Sequence, residues 1–183
     1  MTPTRTYPEP ATGPFPCPPR TATDGENRSI EIETLSGPED AAVPGIVEMY
    51  STFDPADRAQ GIPPVRREDI EAWVEMVIDD GLDVIARHED RVVGHATLVP
   101  ENGVEYELAI FVHDAYQQAG IGTMLLESLL GVASTRGIEY VWLTVERWNT
   151  PAISLYESVG FETTESGSFE VEMNLRLDLD ENG

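Results

Sequence analysis

Glu107-Leu108-Ala109-Ile110-Phe111-Val112, followed by Tyr116-Gln117-Gln118-Ala119-Gly120-Ile121-Gly122-Thr123, is the most informative part of this sequence. The first piece lies in the longest strand that the pattern predicts, 104–112. That strand becomes continuously apolar over 108–112, so it belongs at the centre of a sheet. The second piece is a glycine-containing loop that opens a helix reaching about residue 136, with Met124, Leu125, Leu129 and Val132 on its inner side and Gly137 as its stop. Gly120 and Gly122 let backbone N–H groups approach a ligand closely. They stand at a helix N-terminus, where free N–H groups and the helix dipole favour phosphate, so the segment suits a pyrophosphate. Ordinary strand-to-helix turns use glycines too. No Gly-Lys-Ser/Thr follows, which excludes a P-loop, and the third glycine of the dinucleotide fingerprint is missing.

On the C-terminal side, 140–145 reads as a second buried strand. Thr150 and Pro151 read as N-cap and first position of a helix carrying Ile153, Tyr156 and Val159, which stops at Gly160. Strands near 161–164 and 169–177 close the pattern. On the N-terminal side, Ile30-Glu31-Ile32-Glu33 alternates like a half-buried strand, and Pro44 begins a helix with Ile46, Val47 and Tyr50. A loop with Gly61, Pro63 and Pro64 leads to a helix with Ile70, Trp73, Val74, Val77 and Ile78, stopped at Gly81. Strands 82–87 and 92–99 form a hairpin about Glu89-Asp90, and Asn102-Gly103 marks the next turn. The fold class is α/β: a mixed central sheet of about six to seven strands flanked by about four helices, with helices on both faces. Residues 1–28, rich in Pro, Thr and Gly, predict a disordered tail. The domain proper spans 29–177, and 178–183 form an acidic C-terminal tail.

The charge balance bounds the partners. Asp and Glu number 34 against 11 basic residues, all of them arginine, for a net charge of −23. Such a surface repels itself at low salt, and concentrated salt removes that cost, so the composition points to a salt-rich cytoplasm. It argues against nucleic acid and against anionic membrane surfaces, which both need cations. The N-terminal residues lack the apolar stretch of a secretory signal, which makes the cytoplasm the expected location. Cys17 stands alone between prolines and has no activating neighbour. His88, His95 and His113 show no metal-ligand spacing and predict local hydrogen bonds rather than a metal site.

Gln117-Gln118-Ala119-Gly120-Ile121-Gly122 resembles the Gln/Arg-x-x-Gly-x-Gly/Ala motif of the GNAT N-acetyltransferases. Leu108-Ala109-Ile110-Phe111-Val112 looks like that family's pantetheine-binding strand. Leu143-Thr144-Val145, Asn149, Leu155-Tyr156-Glu157 and Gly160-Phe161 look like its second half, in the expected order. The resemblance is strongest over 107–161. Gln117 stands where many members have Arg, and Gln118 where a Gly is usual, so the loop carries one less positive charge.

The resemblance implies acetyl-CoA as cosubstrate, no metal, and direct transfer of acetyl to an amine. Ile110, Phe111, Val112, Gln117, Gln118, Ala119, Gly120, Ile121, Gly122, Thr123 and Asn149 are the implied cofactor-binding residues. Asn149 reads equally well as a loop residue before the helix cap. Glu107 is the implied base, partly buried beside the apolar run so that its pKa rises, and the context around it is similar to bacterial protein lysine acetyltransferases. Glu105 shares its face and is the substitute candidate. Tyr156 is the implied general acid, against the alternative of a core tyrosine. The acceptor is an amine, either a protein lysine or a small amine, and many members of the family form homodimers. Two other readings stay open: a non-catalytic acyl-CoA sensor with the same fold, and a nucleotide-binding protein using the same loop. Trp73 and Trp148 fit a core, a cleft or an interface equally well.

Overall fold

The computed structural model describes residues 2–58 and 62–179. Gly61 lies outside the described residues. In chain order the strands are β1 (Arg20–Thr23), β2 (Ser29–Thr34), β3 (Leu82–His88), β4 (Arg91–Pro100), β5 (Glu105–Val112), β6 (Tyr140–Glu146), β7 (Glu162–Ser166) and β8 (Glu170–Arg176). The helices are α1 (Val43–Ser51), α2 (Arg67–Asp80), α3 (Ile121–Thr135) and α4 (Thr150–Val159). One mixed sheet orders the strands β1-β2-β3-β4-β5-β6-β8-β7. The α/β architecture with four helices agrees with the sequence. The described sheet has eight strands, one more than the upper expectation, and the extra one is β1.

Burial explains the layers. On one face α3 lays Leu125, Leu126, Leu129 and Leu130 over the sheet, and Tyr156 and Val159 of α4 join the same cluster. Met124 and Val132 are only partly buried at its margin. At Gly94 of β4 a Cβ would stand 2.7 Å from Leu125 Cδ1, so the close seat of α3 needs a glycine there. Truncating Leu125 to Ala would cost about 2–5 kcal/mol by the usual cavity arithmetic. On the other face α1 and α2 pack Ile46, Val47, Tyr50, Ile70, Val74 and Ile78 against Ile85 and Val92.

Three polar side chains sit inside that second cluster. Tyr50 Oη lies 2.6 Å from His95 Nδ1, and His95 Nε2 lies 2.6 Å from Asp83 Oδ1. All three residues are buried. One neutral tautomer satisfies the chain: Nε2–H donates to Asp83, and the Tyr50 hydroxyl donates to Nδ1. Burial, then the nearby Asp83 charge, pushes the Tyr50 pKa well up and keeps its proton in place. His88 meets Tyr116 Oη at 2.8 Å, and His113 meets Thr52 and the Ala115 amide, so each histidine has the local hydrogen bond the sequence predicts.

The expectation of a disordered tail at 1–28 does not describe residues 2–28. β1 pairs antiparallel with β2, from Arg20↔Ile32 to Thr23↔Ser29. Thr12 bridges Leu177, and Pro16 approaches Gly131 so closely that a Cβ there would meet its carbonyl. The segment then runs along the face that α1 and α2 leave open. Composition misses this because backbone pairing and two buried carboxylates, Glu105 and Asp24, rather than apolar periodicity, hold the segment down.

Candidate active site

The site is a split in the sheet. β5 and β6 are parallel neighbours only at Glu105↔Tyr140, Tyr106↔Val141 and Glu107↔Trp142. Beyond Glu107 they diverge. β5 stays paired with β4 as far as Gly94↔Val112, and β6 stays paired with β8 as far as Glu146↔Glu170. The inward backbone edge of 108–112 therefore has N–H and C=O groups that no strand takes up, Val112 O being held by Gln117. Ile110, Phe111 and Val112 lie on this stretch and are part-buried.

Past the split the chain makes the glycine loop. Gln117 Nε2 donates to Val112 O at 3.1 Å and ties the loop to the strand end. Gln118 takes φ 59° and Gly120 φ 85°, and Gly120 is the N-cap of α3. Open space surrounds the Cβ position of Gly120, so a ligand meets bare backbone there. The first N–H groups of α3, at Ile121, Gly122 and Thr123, have no partner within the helix. Gly122 faces Leu155 of α4 and is a packing position. Ala119 O accepts from Gly25 N at 2.9 Å, so the β1–β2 turn props the loop from behind. Arg28 on that turn holds its guanidinium 4.1 Å from the Tyr116 ring centroid and brings one cation beside the loop. An unpaired strand edge leading to a helix N-terminus fits a thin amide-bearing chain that ends in a pyrophosphate.

Asn149, not Thr150, caps α4: its Oδ1 accepts from Ala152 N at 3.3 Å, and the helix begins one residue earlier than the sequence predicts. The side-chain Nδ2 of Asn149 makes no hydrogen bond among the described residues, while its backbone N–H donates to Glu146 O at 2.9 Å. Tyr156 is buried at 8 % exposure and packs edge-on against Phe161, and its hydroxyl makes no hydrogen bond among the described residues. Burial pushes its pKa up to about 12, so it carries its proton at any ordinary pH.

Glu107 sits at the apex of the split. Its side chain is exposed rather than part-buried. The protein around its carboxyl nevertheless raises its pKa, chiefly by desolvation and then by repulsion from Glu101, with Arg5 opposing. Glu105 is a different object. It is fully buried and accepts from Thr4 N at 3.0 Å, Thr4 Oγ1 at 2.7 Å, Arg5 N at 3.0 Å, Tyr7 Oη at 2.9 Å and Asn102 Nδ2 at 2.5 Å. Burial raises its pKa, but these donors outweigh it and hold the group down at about 2. A carboxylate so saturated has no lone pair to offer an incoming ammonium. The substitute candidate for the base is thus removed.

The face beside Glu107 escaped the sequence reading. Alternation places Glu105, Glu107, Trp142, Thr144, Glu146, Glu170, Glu172 and Asn174 on one side of the sheet. An open groove of about 470 Å³ runs along Thr144, Glu165, Phe169, Glu170 and Glu172, and a second groove shares Glu165 and Glu172 and reaches Thr4 and Arg5. Trp148 is exposed and donates to Glu146, while Trp73 packs against Tyr50 and Phe111 under the cleft. Alternating Glu170, Glu172 and Asn174 in the sequence was the available signal. Among the described residues no group of three His, Cys, Asp or Glu is placed to hold a metal ion. Cys17 is an exposed free thiol, and no described helix is long and apolar enough to cross a membrane.

Residues 45–161 of the 183 match the family described as Acetyltransferase (GNAT) family. The chain belongs to the GNAT acetyltransferase family. A [ribosomal protein bS18]-alanine N-acetyltransferase of Salmonella typhimurium is 48 % identical to this GNAT chain over 52 residues, 28 % of the chain and 35 % of the relative. The match thus spans about a third of that relative's length. Among solved structures, the GNAT domain of S. lividans PAT superposes with a TM-score of 0.72 at 18 % identity, covering 86 % of this chain and 96 % of that one. A putative acetyltransferase from Salmonella typhimurium, solved with its cofactor acetyl-CoA, gives a TM-score of 0.63 at 22 % identity over 83 % of this chain and 96 % of that one. These likenesses establish the GNAT fold.

Proposed function

We propose that this chain is an acetyl-CoA-dependent N-acetyltransferase acting on an amine carried by a protein or peptide. The observation that carries the reading is the β5–β6 split, with Glu107 at its apex and the glycine loop at its open end. Acetyl-CoA, as substrate, brings an activated thioester. The backbone of 110–112 and the first N–H groups of α3 bind and orient it, with Asn149 supplying an amide N–H. An ammonium acceptor has a pKa near ~10.4 for lysine and must lose a proton before it attacks. Glu107 takes that proton, directly or through a water, and its raised pKa suits it to hold it. Tyr156 returns a proton to the thiolate that leaves. A backbone N–H of β5 near the split polarises the attacked carbonyl.

Two acceptor classes are in view, one from a relative and one from the sequence around Glu107. The relative is named for the alanine of a ribosomal protein, which presents an α-amine. The local context of Glu107 favours a protein lysine instead. The deciding experiment measures CoA thiol release in multimolar KCl with α-amine peptides, lysine peptides and small amines. Acceptor-dependent release is expected, falling about 10²–10⁴-fold in Glu107→Gln, with acetyl-CoA affinity unchanged. Tyr156→Phe is expected to lower kcat without raising the acceptor KM. Acetyl-CoA binding with no turnover would replace the enzyme by an acyl-CoA sensor, and full activity in both variants would remove Glu107 and Tyr156 from the roles proposed for them.

A further inference from the structure

Residues 4–7 lie in the acidic groove beside Glu107 as a bound peptide would. Every element of that segment is recognised. The N–H groups of Thr4 and Arg5 donate to Glu105. Thr6 O accepts from Asn174 Nδ2 at 2.7 Å. The Arg5 guanidinium donates to Glu101 and, through Nε at 3.2 Å, to Glu172, and it stacks 3.6 Å from the Trp142 ring centroid. Its side chain is 19 % exposed. The Tyr7 ring packs tilted, at 52°, against Tyr140 with centroids 4.8 Å apart. Two further polar atoms on this buried patch, Trp142 Nε1 and Asn174 Oδ1, have no hydrogen-bond partner among the described residues.

We propose that this patch is a peptide-binding acceptor site with a guanidinium seat built by Trp142, Glu101 and Glu172. In the free chain the seat is held by the protein's own Arg5, and an arginine-bearing acceptor peptide must displace residues 4–7 to bind. The inference rests on Glu107 as the base proposed above, takes the face beside it as the acceptor side, and names the substrate class. The chemistry favours a peptide over a free polyamine, because the groove holds main-chain N–H and C=O groups as well as the cation. It favours arginine because a planar guanidinium can stack on an indole and reach two carboxylates together. Glu107 stands next to the seat: both Glu101 and Arg5 act on its charge. A site occupied by its own chain binds a competitor with an apparent affinity reduced by the fraction of free sites.

The test uses the full chain and a fluorescent peptide with the sequence of residues 2–9, Thr-Pro-Thr-Arg-Thr-Tyr-Pro-Glu, read by anisotropy. Arg5→Ala protein is expected to bind it about 10-fold or more tightly than the unaltered protein, because the seat is emptied. The same peptide with Ala for its Arg should bind neither protein. Adding Glu172→Gln to Arg5→Ala should remove the gain, and acetyl-CoA affinity should stay constant in all three proteins. Equal binding by the Arg and Ala peptides, or no gain in Arg5→Ala with acetyl-CoA affinity intact, would reduce the segment to a structural strap. Altered acetyl-CoA affinity with no gain in peptide binding would also overturn the proposal. The binding readout needs no turnover, so it succeeds or fails independently of the Glu107→Gln assay.

Discussion

On the coenzyme side of the β5–β6 split, the groups that face a ligand are main chain: the unpaired edge of 108–112 and the first N–H groups of α3. On the proposed acceptor side they are side chains drawn from three places far apart in sequence, Glu101 to Glu107, Trp142 to Glu146 and Glu170 to Asn174, and residues 4–7 lie over them. The first side is local and, apart from Arg28 paired with Asp24 beside the loop, uncharged, and its dipoles act at short range. The second is assembled by tertiary contacts and is densely acidic. A chain of net charge −23 can hold a polyanionic coenzyme only where backbone does the holding, and it attracts a cation wherever its carboxylates converge.

Perturbations that respect this division sharpen it. The largest effect is expected beside Phe111, where Asp83–His95–Tyr50 pins α1 to the sheet. Asp83→Ala leaves the buried His95 Nε2–H without its partner and should cost about 1–3 kcal/mol, read as a lower midpoint in denaturant unfolding. An unchanged midpoint would mean that the chain of hydrogen bonds does not hold α1. Gly120→Ala acts on the coenzyme side alone. The left-handed φ of 85° disfavours any side chain by about 1–2 kcal/mol, so acetyl-CoA should dissociate about 5–30-fold more readily while the acceptor KM holds. A parallel rise in the acceptor KM would break the division. The smallest effect is electrostatic. Glu107 must be ionised to accept a proton, so kcat/KM should rise with pH through its elevated pKa. Removing the Glu101 charge by Glu101→Gln should move that limb to lower pH, and Arg5→Ala should move it to higher pH, each by a fraction of a unit.

Legibility in the sequence follows the same line. Leu108 through Val112 and Gly120 could be read directly, because a continuous apolar run and a glycine before a helix act through neighbouring residues. The cap of α4 was misplaced by one residue, since Asn149 and Thr150 are both good caps and only the fold chooses between them. Glu105 and Glu107 look alike in sequence. They are separated by Thr4 and Arg5, about a hundred residues away, which saturate one carboxylate and leave the other free. The N-terminal segment was unreadable for the converse reason. Nothing in its Pro- and Thr-rich composition announces the buried acid that orders it.

The divergence of β5 from β6 also bears on solubility. A sheet normally ends in two ladders of unpaired amides that invite another chain to add a strand. This one has four such ladders. Its outer ones are guarded: β1 is only four residues long, and β7 carries Glu162 and Glu165. The other two face each other inside the molecule, between the helices of the two faces, where a neighbouring protein's strand cannot enter. The protein keeps its stickiest backbone indoors, in a slot that only a slender guest can reach.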